Sequence, residues 1–249
     1  MFKAKSRHKV YKQFAALASL MVKVKKGDFV QIRYIGRLKE DNKIFDLNDE
    51  AVAKKEGIYD LRAKYKPLTV CVGQRDVVKG LDDALAGREV GEKFSVGLAP
   101  DDAFGKKDAK YFQLVNASKF KDSDMVPYPG MHVTINDTPG VVKTISGGRI
   151  LVDFNHPLAG KDIMYDTEVV GVVEDDAEKV KALAEMHLGI LSPKVTVEKG
   201  VAKIDHEFPE QLAGAVEKSI IERVPSLKKV EFRKKEEKKE SHHSTSKKK

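Results

Sequence analysis

The middle of this chain, residues 106–155, differs in character from the segments on either side of it. It contains three strand-like apolar runs, VPYPGMHVTI, TPGVVKTIS and RILVDFN, which are separated by ND and SGG turns. The flanking segments 72–105 and 155–173 look instead like the two halves of one site. We therefore expect the middle segment to form a separate β-rich module.

The flanking segments predict one α+β domain, residues 22–105 and 156–174. The run FVQIRYIGRL alternates apolar and polar residues, as a half-buried strand does, and KPLTVCVG and KFSVGL predict further strands. A short helix that ends at Gly87 is predicted from a single apolar stripe, formed by Val77, Val78, Leu81, Ala84 and Leu85. Such a sheet buries its apolar face by wrapping around the helix, and this leaves a cleft.

A third unit, residues 175–233, is predicted to have the order helix, strand, strand, helix, strand (αββαβ). DDAEKVKALAEMHLG is typical of a helix, KVTVEKGVAKIDHEF of a hairpin, and Pro209 opens a second helix. About sixty residues build only a thin core. We therefore expect this unit to pack on the main domain or on a second copy of the chain, as a homodimer, and to lie outside the catalytic site.

Charge is distributed unevenly along the chain. Residues 1–26 carry eight Lys and Arg and no acid, and residues 228–249 carry ten against four acids, so the 201 residues between them have a net charge of −6. We interpret residues 1–21 as a basic N-terminal extension, either an arm or a start-site artefact, and residues 234–249 as a disordered basic tail. The acidic body argues against specific nucleic-acid binding.

Cysteine content and hydropathy predict a cytoplasmic protein. Cys71 is the only cysteine and lies in the run LTVCV, so we expect a buried strand residue, no intramolecular disulfide and a reducing compartment. No apolar run approaches the roughly 18 residues of a membrane span. We therefore expect no membrane association.

Four motifs occur in an order and spacing typical of one family. VKKGDFVQIRYIGRL and KIFD come first, VGQRDVVKGLDDALAGREVGEKFSVGLAPDDAFG follows, and NHPLAGKDIMYDTEVVGVV comes last. Over roughly residues 22–174 the chain resembles the FKBP family of peptidyl-prolyl isomerases, and its interruption after DDAFG resembles the SlyD-like branch. The resemblance implies an antiparallel half-barrel sheet wrapped on a short helix, with residues 106–155 as an inserted flap subdomain.

The resemblance also implies a site for rotation about X-Pro bonds in unfolded or nascent polypeptides. Asp46 would meet the substrate carbonyl and the Val78 N–H would bind the ligand, whereas the other residues would form apolar walls, a floor and a closing edge. The implied positions are Tyr34, Phe45, Asp46, Leu68, Val77, Val78, Leu81, Phe104 and Tyr165. Without the resemblance, Asp46 is as readily a turn or capping residue, and most of the apolar residues are ordinary core.

Two positions depart from the family pattern, and no cofactor or metal is expected. Leu81 stands where many members carry Trp, and Phe104 where many carry Tyr, so a hydroxyl donor to the substrate is missing. Rotation about an amide needs an apolar pocket and a few donors but no nucleophile or metal. The tail offers only His242 and His243, which are weak ligands, and no cysteine.

In the SlyD-like branch the insert binds unfolded chains, which raises the local concentration of prolyl bonds near the site. Seven apolar residues of this insert form a candidate client surface, although some of them must build the insert's own core: Leu114, Val115, Phe120, Met125, Val126, Tyr128 and Met131. Two alternatives stay open. One is a non-catalytic chaperone or scaffold, and the other is an RNA-associated protein that uses the β-rich insert and the basic ends.

Overall fold

The computed structural model describes residues 22–118, 120 and 126–233. The predicted N-terminal extension, the predicted tail and Met125 lie outside these residues. The described strands are β1 (Phe29–Leu38), β2 (Ile44–Leu47), β3 (Leu68–Cys71), β4 (Lys93–Leu98), β5 (Phe112–Asn116), β6 (His132–Ile135), β7 (Thr138–Ser146), β8 (Arg149–Asp153), β9 (Ile163–Val172), β10 (Val195–Glu198), β11 (Val201–Glu207) and β12 (Lys229–Arg233). The described α-helices are α1 (Glu50–Lys55), α2 (Lys79–Leu85), α3 (Asp176–His187) and α4 (Glu210–Arg223).

The main domain is a five-stranded antiparallel sheet that packs against α2. The strand order is β2-β1-β9-β4, and β3 pairs with the first half of β1 while β2 pairs with its second half. Leu81 and Leu85 of α2 are buried in the core between the helix and the sheet. The predicted α+β class is confirmed, because the main sheet is antiparallel and is combined with few helices. Strand β9, which follows residues 106–155, pairs with β1 and β4, which precede them.

One local prediction in this domain was wrong, and one helix was not predicted. Helix α2 begins at Lys79, so Val77 and Val78 precede it, because the Asp82 carboxylate accepts hydrogen bonds from Gly73 N and Arg75 N and holds residues 73–78 as a turn. Helix α1 was missed altogether. It is only six residues long and buries Ala53 alone, so no apolar stripe indicated a helix in the sequence.

Residues of the insert form a separate four-stranded antiparallel sheet in the order β5-β8-β7-β6. Its core is made of six buried apolar residues, Val115, Phe120, Val133, Val142, Ile150 and Val152. Lys107 Nζ donates to Asp153 Oδ2 at 2.7 Å where the chain enters and leaves this sheet. Burial opposes ionisation of Asp153, but hydrogen bonds from Lys107 and Asn155 keep its pKa below its usual value.

The C-terminal unit packs α3 and α4 on the sheet β10-β11-β12, in which β11 and β12 run parallel. Its core also includes Phe29 of β1 and Cys71 of β3, both almost fully buried. Burial, with Asp76 nearby, raises the pKa of the Cys71 thiol to about 11, so this cysteine is a core residue. The unit therefore shares one core with the main domain.

None of the helices described here is long and apolar enough to cross a membrane.

Candidate active site

Four aromatic residues of the predicted site lie together on the inner face of the main sheet. The ring of Tyr165 (β9) is 5.8 Å from that of Tyr34 (β1) and 5.8 Å from that of Phe45 (β2), and Phe45 is 5.9 Å from Phe104, all edge to face. Such pairs contribute about 0.5–1.5 kcal/mol each beyond their buried area. Three strands of the sheet and the segment after β4 thus bring their residues into one aromatic wall.

Gly36 in the middle of β1 allows this wall to form. A β-carbon at this position would lie 2.6 Å from Phe45 Cζ and 2.9 Å from Tyr165 Cε1, closer than carbon atoms pack. A strand residue without a side chain therefore lets both rings approach the backbone. The register of β1 against β2 also shifts between Gly36 and Arg37, which is the irregularity expected next to such a position.

Tyr34 and Asp46 are the polar groups at the edge of this wall. The Tyr34 hydroxyl donates to Asp46 Oδ2 at 2.9 Å, and Asp46 is exposed. Burial, and then the charge and hydrogen bond of Asp46, hold the pKa of Tyr34 well above its usual value. Burial, and then Asp46, raise the pKa of Tyr165 to about 12. Both hydroxyls are therefore protonated at neutral pH.

The turn before α2 supplies the remaining wall. Val77 and Val78 are half-buried and pack against the main core, as does Leu68 of β3, whereas Leu81 is fully buried beneath them. Within the described residues no group accepts a hydrogen bond from the Val78 N–H. All nine predicted residues thus lie in one region. Eight of them are in the main core or pack against it, and Asp46 is joined to them by its hydrogen bond with Tyr34.

His156 is a residue of this region that the sequence prediction missed. Its ring stacks on Phe104 with 4.8 Å between the centroids and 4° between the planes. Its Nδ1 accepts a hydrogen bond from Leu158 N at 3.2 Å, so the neutral ring carries its proton on Nε2. The NHPLAG motif contains His156, but the stacking on Phe104 depends on the return of the chain from the insert.

Comparisons with known proteins identify the family of this chain. A model of FKBP-type peptidyl-prolyl cis-trans isomerases matches residues 21–120, and a model of the FKBP26 IF domain matches residues 113–158. The short-type peptidyl-prolyl cis-trans isomerase of Methanocaldococcus jannaschii is 33% identical over 155 residues, which cover 62% of this chain and 98% of that protein. The chain belongs to the FKBP-type peptidyl-prolyl cis-trans isomerase family. It is therefore an isomerase.

Other relatives specify the branch of the FKBP family. The FKBP-type peptidyl-prolyl cis-trans isomerase SlyD of Haemophilus influenzae is 31% identical over 145 residues, which cover 57% of this chain and 76% of that protein. The FKBP-type 16 kDa isomerase of Escherichia coli is 33% identical over 111 residues, 43% of this chain and 74% of that protein. This FKBP-type chain is SlyD-like, as its interrupted motifs predict.

Proposed function

We propose that this isomerase acts in the cytoplasm on X-Pro bonds of unfolded or nascent polypeptides, at the site lined by Tyr34, Phe45, Phe104 and Tyr165. The observation that carries the proposal is an aromatic wall with a single carboxylate, Asp46, hydrogen-bonded at its edge. A site for acyl or phosphoryl transfer needs a nucleophile or a charged clamp. This wall suits a reaction that changes only a torsion angle.

The chemistry follows from amide resonance. Rotation about an X-Pro bond has a barrier of about 18–20 kcal/mol, because the partial double bond must be broken. The twisted amide is less charge-separated than the planar one, so an apolar site favours it relative to water. The prolyl ring packs on Tyr165 and Phe45, and the free Val78 N–H donates to a substrate carbonyl. Asp46 interacts with the substrate carbonyl region and keeps the Tyr34 hydroxyl oriented.

The proposed site is tested by Asp46→Ala, because Asp46 is exposed and its removal spares the core. We expect kcat/KM for a prolyl tetrapeptide in a protease-coupled assay to fall by about tenfold, or about 1.4 kcal/mol. Asp41→Ala is the matched control, since Asp41 is an exposed aspartate in the turn between β1 and β2. Equal rates for both variants would show that the site lies elsewhere.

We further propose that the insert binds unfolded client chains. The support is the exposure of three of the insert's apolar residues, Leu114, Val126 and Tyr128, which have 64, 84 and 61% of their surface accessible. Two other predicted surface residues, Val115 and Phe120, are buried in the insert's own core instead, and Met131 packs against that core. Large apolar side chains that stay exposed on a small subdomain are typical of a site for protein chains.

If the insert binds clients, changing its apolar surface should affect long substrates more than short ones. Replacing Leu114, Val126 and Tyr128 together by serine should slow the proline-limited refolding of an unfolded protein at least about fivefold relative to tetrapeptide turnover, because only a long chain needs the anchor. The control replaces Leu61 and Leu191, which are equally exposed but lie outside the insert. A parallel fall of both activities would contradict client binding, and so would unchanged refolding.

A homodimer through the C-terminal unit is a separate proposal. It is supported by exposed Leu212 on α4 and by an open groove of about 810 Å³ in the same unit, lined partly by Phe208, Val230 and Phe232. Leu212→Glu should then halve the mass measured by light scattering, whereas Leu191→Glu should leave it unchanged. A full-length chain that is monomeric at high micromolar concentration would contradict the dimer.

A further inference from the structure

A groove of about 400 Å³ runs from the proposed active site to the C-terminal unit. From the main domain it is lined in part by Tyr34, Asp46 and Leu68, which also belong to the predicted prolyl site. From the C-terminal unit it is lined by Ala182, Glu185 and Met186 of helix α3. The sequence predicted that the C-terminal unit lies outside the catalytic site, and helix α3 lines the same groove as three of the predicted site residues.

Helix α3 is fixed in this position by apolar and ionic contacts. Its buried face, which includes Leu183 and Ala184, packs in the core that it shares with β1 and β3, and Met186 packs against the main core. Lys66 Nζ lies 2.6 Å from Glu185 Oε2, and the Glu185 side chain is only 19% exposed. A largely buried carboxylate paired in this way holds the segment before β3 against α3 across the groove.

The lining of the groove suits a polypeptide segment. Its floor and walls include Leu47, Leu68 and Met186, and Lys64 adds an exposed cation at the edge. Glu185 is paired with Lys66, so a neutral peptide that covers the groove does not leave this carboxylate buried without a partner. Ligand sites for peptides commonly combine an apolar surface with a few polar groups in this way.

The groove is continuous with the proposed prolyl site, so the ligand that it would bind is a neighbouring part of the same polypeptide substrate. An extended chain advances about 3.3 Å per residue, so the second residue beyond the proline lies about 7 Å away from it. A substrate whose X-Pro bond contacts Tyr34 and Asp46 therefore extends into the next open space on that side. In this molecule that space is bounded by α3.

We infer that α3 forms a substrate subsite that binds two or three residues next to the isomerised proline, with an apolar side chain against Met186. This inference rests on the proposed prolyl site. It makes the C-terminal unit part of the substrate-binding surface, and it predicts that the enzyme prefers substrates longer than a tetrapeptide. The subsite is specific to chains that carry this third unit.

The test compares two substrates that contain the same X-Pro bond, a tetrapeptide and a peptide of about ten residues with apolar residues on both sides. Wild-type protein should show a higher kcat/KM for the longer peptide. Ala182→Trp fills the groove, so the ratio of the two kcat/KM values should fall at least about fivefold. Ala215→Trp is the matched control, because Ala215 is exposed on α4 and outside the groove.

A second variant keeps the inference testable if Ala182→Trp does not fold. Met186→Ser removes the apolar contact without adding bulk, and it should also lower the ratio for the two peptides. Equal kcat/KM values for both peptides in wild type, or an unchanged ratio in a folded Ala182→Trp or Met186→Ser variant, would overturn the subsite. Failure of wild type to isomerise either peptide would instead contradict the proposed active site itself.

Discussion

At the scale of single residues, the His156 ring lies against Phe104, which has no hydroxyl. The histidine ring stacks on Phe104, and in the neutral ring its Nε2 proton is free for a substrate carbonyl because Nδ1 already accepts from Leu158 N. We expect His156→Phe, which keeps an aromatic ring but loses the donor, to lower kcat/KM for a prolyl tetrapeptide roughly threefold to tenfold. His132→Phe, at an exposed histidine of the insert, is the control.

The glutamine variant makes the role of this histidine specific. His156→Gln retains a side-chain donor and should recover part of the activity that His156→Phe loses. If the phenylalanine variant were as active as wild type, or if glutamine were no better than phenylalanine, His156 would act only through packing on Phe104.

Tyr165 gives the fold a pH dependence in the alkaline range. Burial, and then Asp46, raise its pKa from 10.0 to about 12, so folding favours the protonated hydroxyl. This contribution to stability is complete below pH 10 and is lost as the pH rises from about 10 towards 12. We therefore expect the free energy of unfolding in urea to decrease more steeply across this range in wild type than in Tyr165→Phe. Parallel curves would contradict the raised pKa.

At the scale of elements, α3 and α4 hold the turn that leads into the proposed site. Asp76 Oδ1 lies 2.9 Å from Arg223 Nη1 of α4 and 3.0 Å from His187 Nε2 of α3, and its Oδ2 accepts from Cys71 N. The Asp76 side chain is only 2% exposed, and Val77 and Val78 follow it directly. The position of the Val78 N–H therefore depends on contacts made by the third unit.

Removing Arg223 should affect both stability and substrate binding. We expect Arg223→Met to lower the free energy of unfolding by about 3 kcal/mol, because the buried Asp76 carboxylate loses its main cationic partner. The displaced turn should raise KM more than it lowers kcat, and Arg223→Lys should recover part of both losses. Arg233→Met, which breaks the exposed pair with Asp205, should cost at most about 1 kcal/mol. Equal destabilisation by the two methionine variants would contradict this account.

The elements also show where sequence periodicity is informative. The strand β1 was predicted from its alternating pattern, because one of its faces lies in the main core while the other is buried only at Phe29, where the third unit covers it. The start of α2 was predicted wrongly, because the apolar residues Val77 and Val78 continue the stripe of the helix in the sequence. In the structure these two residues belong to a turn that the Asp82 side chain holds. A pattern records which residues become buried, and it does not record the hydrogen bonds that end an element.

At the scale of the whole molecule, the C-terminal unit completes the core of the main domain. Phe29 and Cys71 are 2 and 1% exposed because this unit covers them. Truncation after Glu174 should therefore lower the melting temperature and make the Cys71 thiol react with a disulfide reagent much faster than in the full chain. Slow reaction of Cys71 in the truncated protein would show that the main domain closes over this surface without the third unit.

The sequence by itself determined the family, the α+β class and the residues of the aromatic wall, because these depend on motifs and on apolar periodicity within short segments. Only the tertiary structure decided which residues meet across the chain. Phe104 stacks on His156, Met186 reaches the groove beside Leu68, and Arg223 approaches Asp76. These residues are separated by tens to more than a hundred positions, and nothing in the local pattern encodes such a contact. It follows from how the insert returns the chain to the sheet and how the third unit covers one buried face.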